Sequence, residues 1–97
     1  MSWRYIYLNK AIQKQKIMES LSKLFDVKSS EIEIFEGEPD LTVITEDSLV
    51  ACGIYEMQGQ FSMLLEVTPL RSELIPDNDY ETVGTLCEYL QCRAVVT

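Results

Sequence analysis

LVACGIYEMQGQFSMLLEVT, Leu49 to Thr68, is the stretch that decides the fold. Two runs rich in β-branched, aromatic and other apolar residues flank Gln58-Gly59, where glycine as the second residue suits a tight reversal. A two-residue turn there pairs Glu56 with Phe61, Ile54 with Met63, Cys52 with Leu65 and Val50 with Val67. Side chains alternate across a strand, so these residues share one face, which is almost wholly apolar and therefore the core face. The other face is mixed. On it Tyr55, Met57 and Leu64 form an apolar island among Gly53, Ser62 and Glu66.

Working outward toward the N-terminus, Leu41–Thr45 is rich in β-branched residues and predicts one more short strand. The stretch 36–40 is a loop by composition, and Glu31 to Phe35 alternates with period two, as a strand with one wet face does. Ile17, Met18, Leu21, Leu24 and Phe25 recur at helical spacing after the helix formers that start at Lys10. They predict an amphipathic helix of about four turns, capped by Asn9 and ending near Asp26. Arg4–Leu8 reads as a first strand. Toward the C-terminus, Pro69 ends the hairpin because it has no amide proton for the ladder. Asp77, Asn78 or Asp79 caps a second helix, about Tyr80 to Gln91, with Val83, Leu86, Cys87 and Leu90 as its buried stripe. Cys92 to Val96 closes the chain as a last strand.

Two amphipathic helices and several short strands bury most economically on one shared sheet. The expected fold is a single α+β domain over residues 1–97. It is a two-layer α/β sandwich, a mainly antiparallel sheet with two helices on one face, in a ferredoxin-like variant. The second sheet face then stays free and exposes Tyr55, Met57 and Leu64, unless Trp3 folds over them.

Composition excludes several function classes. Sixteen acidic residues against eight basic ones give a net charge of −8, and histidine is absent. The charge is unevenly spread: residues 1–28 carry six basic and two acidic groups, residues 29–97 two basic and fourteen acidic. Such a field repels nucleic-acid phosphates and attracts cationic surfaces. Without histidine the chain lacks the commonest general base and transition-metal ligand. No phosphate-binding glycine loop, nucleophile elbow or metal-ligand spacing occurs. Asp77 to Glu88 imitates part of a calcium loop but has Thr82 where the turn needs glycine, so helix capping is the reading adopted. No catalytic, cofactor-binding or metal-binding residue is expected. No apolar run is long enough for a membrane span. Three cysteines, Cys52, Cys87 and Cys92, without a secretion signal predict reduced thiols and a cytoplasmic protein.

What remains is surface. Glu36, Glu38, Asp40, Glu46 and Asp47 lie in a predicted loop-rich stretch, and Asp77, Asp79 and Glu81 open the second helix. Carboxylates placed on loops by a rigid sheet speed the encounter with a basic protein and select for it, so these eight are the candidate partner-binding residues. In general character, and most of all in its last segment DNDYETVGTLCEYLQCRAVVT (Asp77 to Thr97), the chain resembles bacterial immunity proteins that neutralise toxin domains, including those of contact-dependent inhibition systems. The resemblance lies in architecture and charge. It implies a cytoplasmic protein that binds and blocks a cognate toxin. A basic nuclease would suit the charge, because its active cleft must be positive to hold phosphates. The alternative is a small regulatory or assembly module that dimerises through the free sheet face.

Overall fold

A computed structural model describes residues 3–37 and 40–96. The elements are β1 (Arg4–Leu8), α1 (Lys14–Phe25), β2 (Ile32–Glu36), β3 (Val50–Glu56), β4 (Met63–Pro69), α2 (Asp79–Leu90) and β5 (Ala94–Val96). They form one five-stranded sheet in the order β2-β3-β4-β1-β5, with the helices packed against each other on one face. The expected α+β two-layer architecture is the one observed.

The core is the row of side chains that the alternation places under the helices. Ile6, Leu8, Val50, Cys52, Leu65 and Val67 from the sheet meet Ile17, Leu21 and Phe25 of α1 and Val83, Leu86 and Leu90 of α2, all buried. Ile54, expected among them, is only partly buried. Removing such apolar area from water contributes roughly 25 cal/mol per Å2, the main term holding so small a domain together.

Four local expectations are corrected. The hairpin pairs Ile54 with Leu65, Cys52 with Val67 and Glu56 with Met63, two residues out of step with the two-residue turn. Met57 N–H bonds the Ser62 carbonyl, so the loop is Gln58 to Phe61, with Gly59 at φ 107°. Gln58 is a poor first residue for a primed turn, and a longer loop relieves it. A shift of two keeps every side chain on its face, so the core face is the expected one.

Second, α1 starts at Lys14 after Gln13, not after Asn9. The Asn9 side chain instead accepts the Arg93 amide (2.8 Å) and its own N–H donates to the Arg93 carbonyl (3.0 Å), which ties β5 to β1. Third, Leu41–Val43 is a turn of 3-10 helix rather than a strand, capped by Asp40. Fourth, Trp3 does not cover the second sheet face: its ring stands edge-on to Phe25, 6.0 Å between centroids, on the helix side.

The link from β2 to β3 has a further consequence. These strands pair in parallel, whereas every other pairing is antiparallel. Parallel crossovers are right-handed. The β1–α1–β2 and β4–α2–β5 crossovers put their helices on one face; the return from β2 to β3 runs back across the sheet and lies on the other. Ser48 marks its path, donating from Oγ to Glu33 Oε1 (3.3 Å). Ala51 and Thr68, on the non-helical face at that end, are buried. The second sheet face is therefore partly covered.

Candidate docking surfaces

The β2–β3 connection runs the length of the sheet, so it separates carboxylates that are near in sequence. Glu36 ends β2 beside Glu56. There it lines, with Lys14 opposite, a cleft of about 410 Å3 floored by Ile12, Ile54 and Met63. Glu46 and Asp47 sit at the opposite end, in the turn before Ser48. The loop after β4 leaves from that same end, and α2 begins beside β1's first residues, so Asp77 and Glu81 belong with Glu46 and Asp47. Glu38 lies outside the described residues.

Two of the eight are committed to local structure. Asp40 accepts the Thr42 hydroxyl (2.6 Å) and amide (3.0 Å). These bonds, the hydroxyl first, hold its carboxyl below the usual range. Asp79 accepts Trp3 Nε1 (3.0 Å) on one oxygen and pairs with Arg4 on the other. It pins the start of α2 to the start of β1. Asn78 supplies the cap, accepting the Glu81 amide (3.0 Å), while the Asp79 and Glu81 charges suit the helix's positive end.

Arg4–Asp79 is the one ion pair among the described residues. Arg71, the cation nearest Glu46, donates to its backbone carbonyl (2.9 Å), not its carboxylate. Glu46, Asp47, Asp77 and Glu81 are exposed and paired with no cation among the described residues, at one end of the molecule.

The surroundings of the three thiols favour their protonated form. Cys52 is fully buried, and burial, aided by the Glu66 charge, pushes it up to about 12. Gln91, left-handed at φ 55°, closes α2 and lets the Cys92 amide bond the Cys87 carbonyl (3.1 Å). That motif sets the two side chains together. Burial raises both, Cys92 to about 11, so they stay protonated near neutrality. All three cysteines are free thiols, and among the described residues no group of three or more potential ligands is placed to hold a metal.

The sheet face opposite the helices keeps an apolar area that the sequence located only in part. Tyr55 and Leu64 are cross-strand partners there; Tyr7 extends the row, its ring 6.0 Å from Phe61, and Val95 follows it. Tyr5 and Val95 are 41% and 47% exposed, and Met57 stands at the hairpin loop. The Tyr55 hydroxyl donates to Glu66 (2.9 Å). Tyr5, Tyr7 and Val95 escaped notice because only the register of β1 and β5 brings them beside the hairpin. Among the described residues no helix is long and apolar enough to cross a membrane.

Compared with family models, curated proteins and solved structures, the chain matches none.

Proposed function

We propose that this is a cytoplasmic, non-enzymatic protein-binding module of the immunity type, which binds a cationic protein, a toxin domain such as a nuclease, and neutralises it. The observation that carries the reading is a set of exposed carboxylates, Glu46, Asp47, Asp77 and Glu81, that share one end of the sheet and have no ion-pair partner among the described residues. Carboxylates left without an ion-pair partner at one end of the sheet direct field toward a positive partner and raise the association rate.

The test is calorimetric titration with the product of the neighbouring gene, using wild type and a variant combining Glu46→Lys, Asp47→Lys, Asp77→Lys and Glu81→Lys. Truncating one partner of a desolvated charge pair costs about 2–5 kcal/mol. The variant is expected to bind at least 100-fold more weakly, while its unfolding free energy falls by only about 1–2 kcal/mol, the cost of lysines at the positive end of α2. Unchanged affinity would reduce the cluster to a solvated edge.

A further inference from the structure

The partner-binding surface has a second part that carboxylates alone do not define. β5 ends the sheet, and among the described residues no strand pairs with its outer side. Its ladder with β1 matches Leu8 to Ala94, Tyr7 to Val95 and Ile6 to Val96. The Asn9–Arg93 bond fixes the phase: Tyr7 and Val95 are the bonded pair, and the N–H and C=O groups of Ala94 and Val96 turn outward. Edge strands are normally blunted by shortness, charged residues, proline or a bulge. This one, Ala94-Val95-Val96, is short, but it carries no charge, proline or bulge.

Beside that edge runs a groove of about 390 Å3 between β5 and α2. Its walls are uncharged. Val83 and Cys87 lie on the α2 side, and Gly84 opens it, since a Cβ added there would meet nothing within 4 Å. Tyr80, 87% exposed, stands at its mouth. An unsatisfied main-chain edge beside an apolar groove is the arrangement that accepts an extended segment: the backbone supplies the bonds and alternate side chains drop into the groove. Charge selects the segment. α2 carries Asp79, Glu81 and Glu88 and no basic residue, while Lys10 and Arg93 flank Glu88 at the end of the groove where β5 begins. Glu81 and Glu88 are exposed and lie seven residues apart, two turns along one side of the helix.

Resting on the cationic-partner reading above, we propose that the β5 edge and the α2 groove form a strand-addition site for an extended segment that alternates apolar with basic residues. The apolar side chains enter the groove over Gly84, and the basic ones reach Glu81 and Glu88. A second copy of this chain is the wrong occupant, because it would bring its own acidic α2 alongside.

The test is an amide NMR titration of the full chain with a heptapeptide alternating valine and lysine. The controls are its glutamate counterpart and a version N-methylated on the amides that face β5. The lysine peptide is expected to shift Tyr80, Gly84, Ala94 and Val96 saturably at one to one. N-methylation and the double variant Glu81→Lys/Glu88→Lys should each weaken it at least 10-fold, and the glutamate peptide should not bind. Shifts confined to Glu46, Asp47 and Asp77 would overturn the site, as would equal binding of the N-methylated peptide. The same shifts appearing on concentration without peptide would overturn it in favour of self-pairing. If the lysine peptide does not bind but the neighbouring gene's product does, the strand-addition site fails alone. If neither binds, the cationic-partner reading fails with it.

Discussion

Leu65→Ala is expected to lower the unfolding free energy by about 2–5 kcal/mol, while Leu64→Ala, one residue away, costs under about 1.5 kcal/mol. The contrast follows from parity. β4 is the middle strand, and Leu65 lies between Ile54 on β3 and Ile6 on β1, with none of its surface exposed. Truncating it removes apolar atoms from the packed layer under both helices and leaves a cavity its β-sheet neighbours cannot close. Leu64 points to the opposite face, between Tyr55 and Tyr7, and is only partly buried. Urea unfolding of the two variants measures both. Equal losses would mean that both sheet faces are packed alike; a larger loss for Leu64→Ala would mean that the faces are reversed.

Alkaline destabilisation through Cys52 is the second large effect. The folded state raises this thiol from 9.0 to about 12, by burial first and the Glu66 charge second. A raised folded value means that the native state holds the proton more tightly than the unfolded chain. Stability is then fully present below 9.0 and is lost as pH rises toward about 12. Each pH unit in that window removes about 1.4 kcal/mol. Wild type should therefore lose stability relative to Cys52→Ala above pH 9, by an amount on the order of 4 kcal/mol across the whole interval. The variant starts lower, because it leaves a small cavity, but its own profile lacks this component. Denaturant midpoints at several pH values decide: parallel profiles would show that Cys52 does not ionise in the unfolded chain ahead of the folded one.

These two effects touch the parts of the molecule that sequence patterning reads well. Alternation in Leu49 to Thr68 settles which side chains face the core, because only parity matters for that. It does not settle register, which depends on the loop, and the pairing accordingly differs by two residues. Helical spacing locates α1 and α2 but not the start of α1, where Asn9 is drawn into the β1–β5 ladder by Arg93, 84 residues away. The parallel pairing of β2 with β3 was not legible. Parallel neighbours usually need a helical crossover, and this one uses a 3-10 turn and irregular chain. Leu41–Thr45 reads as a strand from its β-branched residues, yet Asp40 and Thr42 make a local turn that competes with extended pairing.

The candidate surface was legible as a set of carboxylates, not as an arrangement. Asp79 looks like its neighbours in the sequence, but Trp3 and Arg4 claim both its oxygens. Glu36 is near Glu46 in the chain and at the other end of the sheet in space. The β5–α2 groove has no sequence signature at all. It exists because the β4–α2–β5 crossover lays an acidic helix beside an apolar edge.

The most direct test of the cationic-partner account is the association rate with the neighbouring gene's product, followed by stopped-flow mixing as salt rises from about 0.05 to 0.5 M. Across that range the screening length shrinks from over 10 Å to roughly 4 Å. The account predicts a fall in association rate of about 10-fold or more, and a much flatter salt dependence for the quadruple variant Glu46→Lys, Asp47→Lys, Asp77→Lys and Glu81→Lys. An association rate that salt leaves unchanged, the same in wild type and variant, would contradict it.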